Sequence, residues 1–149
     1  MESKVDEVLG KFQNGKIFNC VQAIFSTYCE DLGLDKETAL KLCCGLGGGM
    51  GRLGYTCGAV SGAHLVIGLK HGSSLPGDQA SKLKVYALVR EFEKKFVERN
   101  QTTLCRELLK VDLLNGDKQT IFDRTHEICP RALKDAVEIL ESILSTDSE

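Results

Sequence analysis

Leu83-Lys84-Val85-Tyr86-Ala87-Leu88-Val89-Arg90-Glu91-Phe92-Glu93-Lys94-Lys95-Phe96 decides the fold class. Val85, Leu88, Val89, Phe92 and Phe96 recur every three or four residues, the spacing that lays apolar side chains along one face of an α-helix. Glu91 and Lys95 stand one turn apart on the polar side, a modest support for the same helix. The helix is predicted to run to about Asn100, preceded by a Pro76-Gly77 turn.

The same period holds outward in both directions. Val5, Val8, Leu9 and Phe12 form a stripe ended by Asn14-Gly15. A second helix starts near Asn19, carries Ala23, Ile24, Tyr28 and Leu32, and stops at Gly33. Asp35 suits the cap of a short helix to about Cys44. A glycine-dense connection, Gly45 to Gly54, leads to a helix from Cys57 to about His71, with Thr56 as its expected cap. Downstream, Thr102 or Thr103 is expected to cap a short helix through Leu109. Asn115 to Thr125 reads as irregular, and Pro130 suits the first position of a last helix carrying Leu133, Ala136, Val137, Leu140 and Leu144. No period-2 strand stands out. The expectation is an all-α, single-domain bundle of six or seven helices, with its core over about residues 5–144.

Composition narrows the function. The chain has 149 residues, 42% apolar and 27% charged, with a net charge of −2. That is the balance of a globular domain. Lys and Arg do not collect into a patch, so nucleic acid is not an expected partner. The longest apolar stretch, around Ala63 to Leu69, is far short of a bilayer span. The polar, acidic start of the chain has no signal-peptide pattern, and a cytoplasmic location is expected.

Seven cysteines in such a chain point to metal ligation, redox chemistry or buried packing, because reducing compartments keep structural thiols free. Their positions divide them. Cys20 follows Asn19, Cys57 follows Thr56, Cys105 follows the Thr102-Thr103 caps, and Cys129 precedes Pro130. All four are expected at helix starts, where free N–H groups and partial positive charge favour a thiolate. Cys29, Cys43 and Cys44 fall at helix ends and read as packing residues. No C-x-x-C ladder links the four, so four helices would have to converge.

Other motifs have plainer readings. Gly49-Met50-Gly51-Arg52-Leu53-Gly54 matches G-x-G-x-x-G, but a helix precedes it, which excludes a dinucleotide loop. Its glycines serve either as a nest of N–H groups around an anionic cluster or as a tight helix connection. Gly58 and Gly62 share a face and allow close helix packing, beside room for a cofactor. His64 is expected in the core and His71 as a dipole partner at a helix end. His126 is the spare ligand nearest Cys129, or a surface residue. Arg52 either offsets cluster charge or is solvated.

Asn19-Cys20-Val21-Gln22-Ala23, Gly47-Gly48-Gly49-Met50-Gly51-Arg52, Cys57-Gly58-Ala59-Val60-Ser61-Gly62 with Gly68-Leu69-Lys70, and the two late cysteines resemble the C-GCAxxG-C-C family of redox-active proteins. The resemblance runs from about Val5 to Leu144, and Leu42 to His71 is its specific part. It implies that Cys20, Cys57, Cys105 and Cys129 are the working set; the glycine pattern itself adds Gly49 and Gly58 as the positions where backbone would pass close to a cofactor. Through a related module of a multihaem cytochrome the resemblance also implies an iron–sulfur cluster, a [2Fe–2S] centre, used for electron transfer or redox sensing with a partner oxidoreductase. The residues themselves leave two alternatives: thiol–disulfide exchange, or a Zn²⁺ ion that staples a helical binding module. A homodimer stays an option.

Overall fold

The computed structural model describes residues 2–146, and over them the chain is all-α. Its helices are α1 (Val5–Phe12), α2 (Cys20–Tyr28), α3 (Lys36–Cys43), α4 (Gly58–His71), α5 (Gln79–Asn100), α6 (Cys105–Leu109) and α7 (Lys118–Thr146), with short 3-10 turns after α1, α2 and α3. None of the described helices is long and apolar enough to cross a membrane.

Two helices form the centre. Every residue of α2 from Val21 to Tyr28 except Gln22 is buried, and α4 is buried along Gly58–Ala63 and again at Val66 and Ile67. They pack on each other, with α1 and α3 on the α2 side, α5 on the α4 side, and α7 across both. Gly58 and Gly62 explain how closely α2 and α4 approach. A Cβ on Gly58 would lie 2.8 Å from the Cβ of Cys20, and one on Gly62 would lie 3.0 Å from the Cβ of Ile24. Phe92 and Phe96 of α5 and Leu133, Val137, Leu140 and Ile143 of α7 close the core. Each such side chain contributes about 1.5–3 kcal/mol by leaving water.

The caps at Asn19 and Asp35 form as expected. Asn19 makes a capping box with Gln22, and Asp35 accepts from the Thr38 amide. Three boundaries differ from the sequence reading. Cys57 itself caps α4, because Thr56 is held in a β-bridge to Leu104. Leu104, not a threonine, precedes α6, although the Thr102 hydroxyl does accept from the Leu104 amide.

The largest correction concerns α7. It begins at Lys118, so most of the stretch read as irregular is helical, and Pro130 lies inside it. Asp117 supplies the start, accepting from the Thr120 amide at 2.9 Å and its hydroxyl at 3.0 Å. An internal proline costs about 3 kcal/mol because it withholds one N–H and crowds the carbonyl four residues back. Tertiary contacts on the first half offset that cost. Arg124 Nε donates to the Leu109 carbonyl at 2.8 Å, His126 Nδ1 bonds Asn14 at 2.9 Å, and Ala132 and Leu133 are buried just beyond the proline.

Candidate functional site

Cys57 and Cys105 are made neighbours by the backbone. The Cys57 amide donates to the Thr103 carbonyl at 2.7 Å, the Cys105 amide to the Tyr55 carbonyl at 2.6 Å, and the Arg106 amide to the Gly54 carbonyl at 3.0 Å. This short antiparallel pairing ties the start of α4 to the start of α6. It is too brief to leave an alternating pattern in the sequence.

The glycine loop passes beneath it. Gly48, Gly49, Met50, Gly51 and Arg52 all hold left-handed backbone, with φ of 64°, 69°, 71°, 58° and 66°. Gly49 cannot be replaced without conflict, since a Cβ there would meet Tyr55 N at 2.5 Å and the Cys105 Cβ at 2.8 Å. The loop's amides are largely spent on its own carbonyls: Met50, Gly51, Arg52, Gly54 and Tyr55 donate to Leu46, Gly45, Gly47, Gly48 and Gly49. The tight-connection reading therefore describes those five amides, and they do not form a nest. A helix and a 3-10 turn precede the loop, as the rejection of a dinucleotide motif requires.

Cys20 stands in the first turn of α2, directly against Gly58. Its cap residue is tied outward, for Asn19 Nδ2 donates to the Cys44 carbonyl at 3.0 Å and Gln22 Nε2 to the Leu40 carbonyl at 3.1 Å. Cys129 arrives from the middle of α7, not from a helix start. The four thiols nonetheless line one cavity of about 810 Å³, together with Gly58. Gly49 is not in the lining but lies buried behind Cys105.

Their acidity reports that they interact. Cys20 is pushed well up, first by its hydrogen bond to Cys129, then by burial, then by the charges Cys129, Cys57 and Cys105 carry when ionised. Cys129 is lowered by the same hydrogen bond. The pair thus keeps one proton on Cys20 and favours the thiolate at Cys129. Burial raises Cys57 and Cys105 to about 12, although the amides of Ala59 and Val60 favour the Cys57 thiolate. Helix starts were expected to lower thiol pKa values. Desolvation overrides them at Cys57 and Cys105, the interaction with Cys129 and then burial override them at Cys20, and the one lowered thiol sits in mid-helix.

The donor set suits a thiophilic group. Four soft sulfurs share a pocket without a carboxylate, and three of them, Cys20, Cys57 and Cys105, resist ionisation until a cation offsets their charge. Among the described residues no three metal-binding side chains converge on a single ion point. The four sulfurs share one cavity lining.

The remaining sequence candidates lie elsewhere, with two exceptions. Cys29 and Cys43 are buried, donate to the Ser26 and Ala39 carbonyls at 3.6 and 3.1 Å, and behave as packing residues. Cys44, read as packing, is exposed and lines the cavity. Arg52 lines it as well. His64 lies against the edge of Phe92, with Glu93 3.4 Å away, and burial lowers its pKa to about 4. His71 ends α4. His126 stacks on Phe122 and bonds Asn14, outside the cavity lining. Lys118 lines the cavity and was missed. The Asp117-x-x-Thr120 cap would have placed it in the first turn of α7.

Comparison with the curated proteins and with the solved structures gives no match. A family model described as "Putative redox-active protein (C_GCAxxG_C_C)" matches residues 18–143. The chain reads Cys57-Gly58-Ala59 where that motif is written GCA, and keeps the Ala-x-x-Gly spacing to Gly62. The match takes in all four cysteines of the pocket and every helix from α2 to α6, so the chain belongs to the C_GCAxxG_C_C family of redox-active proteins.

Proposed function

We propose that Cys20, Cys57, Cys105 and Cys129 hold an iron–sulfur cluster of [2Fe–2S] size, and that the protein passes electrons to, or senses the redox state of, a partner oxidoreductase in a reducing compartment such as the cytoplasm. One observation carries the reading: four thiols from four separate helix segments line a single cavity and act on one another's acidity. Four cysteine sulfurs with no carboxylate in the lining match the usual ligand set of an iron–sulfur cluster, and a Zn²⁺ ion held by the same four is the structural alternative.

When bound, such a cluster supplies one-electron chemistry. The chain's own residues do the rest. Ala59 and Val60 amides stabilise the Cys57 sulfur as an anion. Gly49 and Gly58 let the backbone seat Cys105 and Cys20. Burial of Cys57 and Cys105 keeps water from those two sulfurs.

Thiol–disulfide exchange is the second reading, favoured by the opposite acidity shifts of Cys20 and Cys129, which leave a thiolate at Cys129 beside a protonated Cys20. In it the Cys129 thiolate attacks a partner's disulfide and expels one partner thiolate. Cys20 then loses its proton and displaces the second partner sulfur. A Cys20–Cys129 bond forms, and the partner disulfide gains two electrons.

Anaerobic purification with iron and acid-labile sulfide analysis separates these readings. Equal iron and sulfide, lost on Ser substitution at each of the four cysteines and kept in Cys29→Ser, supports the cluster. Stoichiometric zinc without sulfide selects the structural ion. Absence of metal, with two thiols lost on oxidation, selects exchange.

A further inference from the structure

The cavity is larger than a small cluster needs and lies in the range of pockets that enclose organic ligands, about 300–1,000 Å³. Its lining combines the thiols with an apolar set, Phe12, Leu108, Leu109, Leu113, Ile121 and Ile128. Among the lining residues the charged ones are Arg52 and Lys118, both cationic, with no Asp or Glu. The lining therefore offers an anion two cationic side chains and no fixed negative one.

Neither cation has an ion pair or side-chain hydrogen bond among the described residues. Nor do they serve the thiols. Burial, the other cysteines and backbone amides set the acidity of Cys20, Cys57, Cys105 and Cys129, and no Arg or Lys contributes. Arg52 is also held at a cost. A non-glycine residue at φ 66° is strained by roughly 1–2 kcal/mol, yet the residue here is an arginine in a loop otherwise rich in glycine. Its stem crosses Gly48, a lining residue, for a Cβ on Gly48 would fall 2.8 Å from the Arg52 Cγ.

We infer that this cavity binds, beside the thiols, an organic molecule with an apolar ring or chain body and one anionic group, the body lying against apolar lining residues such as Leu108 and Ile128 and the anion between Arg52 and Lys118. The inference rests on the thiol pocket being the working site, since it names the ligand class of that same pocket. The class is that of aromatic or long-chain carboxylates and sulfonates.

The probe is 8-anilinonaphthalene-1-sulfonate, titrated by fluorescence against the anaerobically purified protein, with N-phenyl-1-naphthylamine as the same ring system without the charge. One saturable site is expected. In the Arg52→Gln, Lys118→Gln double variant the sulfonate should bind about tenfold more weakly, the scale of a lost charge-assisted contact, with the neutral probe unchanged. Both substitutions are on exposed side chains, and equal melting temperatures confirm the fold. Leu113→Trp, which enlarges an apolar lining residue, should weaken both probes. Absence of a saturable site, or parallel changes in both probes in the double variant, overturns the inference. The Cys20→Ser, Cys129→Ser protein separates the two readings. Charge-dependent probe binding retained there, with no iron in the wild type, leaves the ligand site standing without the cluster. Iron present and probe binding absent removes the ligand site alone.

Discussion

The thiol of Cys20, in the first turn of α2, and the thiol of Cys129, in the middle of α7, line one cavity and shift each other's acidity in opposite directions. The two titrate as a pair, with the proton held on Cys20 and the thiolate favoured at Cys129. In the metal-free protein, Cys129 should be the first of the four to react with iodoacetamide as pH rises. Replacing Cys20 by Ala removes the partner and leaves burial alone, so Cys129 should then react several-fold more slowly near neutral pH. Peptide mass spectrometry after timed alkylation measures this, and an unchanged or faster rate at Cys129 counts against the pairing.

Cys57 and Cys105 carry the opposite consequence. Both hold their protons to about pH 12 in the fold, whereas an unperturbed thiol releases its proton near 9. A group with a raised folded pKa contributes stability that is complete below the unfolded value and is lost as pH rises towards the folded one. The metal-free protein should therefore lose melting temperature between pH 9 and 12. The Cys57→Ala, Cys105→Ala variant should show a shallower decline across that window. Equal slopes in the two proteins would falsify the assignment.

His64 works at the acid end. Its pKa falls to about 4 from 6.5 through burial, so folding favours the neutral ring. Stability from this group is present above 6.5 and is lost as pH falls through the interval to 4. A nuclear magnetic resonance titration should place the His64 midpoint near 4. A midpoint close to 6.5 contradicts its packing against Phe92.

Two glycines of the left-handed loop should separate steric from conformational cost. At Gly51 a Cβ meets nothing within 4 Å, so Gly51→Ala should cost only the backbone term, about 1–2 kcal/mol. Gly49→Ala adds contacts of 2.5 and 2.7 Å with rigid backbone, and should cost about 2–5 kcal/mol in total. Because Cys105 lies against it, Gly49→Ala should also reduce iron retention if the four cysteines hold the proposed cluster. Chemical denaturation of both variants tests the order, and comparable losses would remove the close-approach argument.

Legibility in the sequence followed the range of the forces. Local signals were readable: the Asn19 capping box, the Asp35 cap and the 3.6-residue stripe of α5 lie within a few residues of what they control. Pro130 misled because its local preference for a helix start was overruled by distant contacts, those of Arg124 with Leu109 and His126 with Asn14. The helix-start argument selected four cysteines that line one cavity, although Cys129 does not occupy a helix start. Family resemblance selected Cys129 independently. The bridge that sets Cys57 beside Cys105, the run of five left-handed residues and the place of Cys44 and Lys118 on the cavity wall all depend on residues far apart in the chain, so no window of sequence displays them.

The place of Cys129 on α7 also fixes an order of events during synthesis. A nascent chain that has emerged only as far as α6 holds three of the four sulfurs of the pocket. Any group that needs all four can be gripped only once α7 has docked.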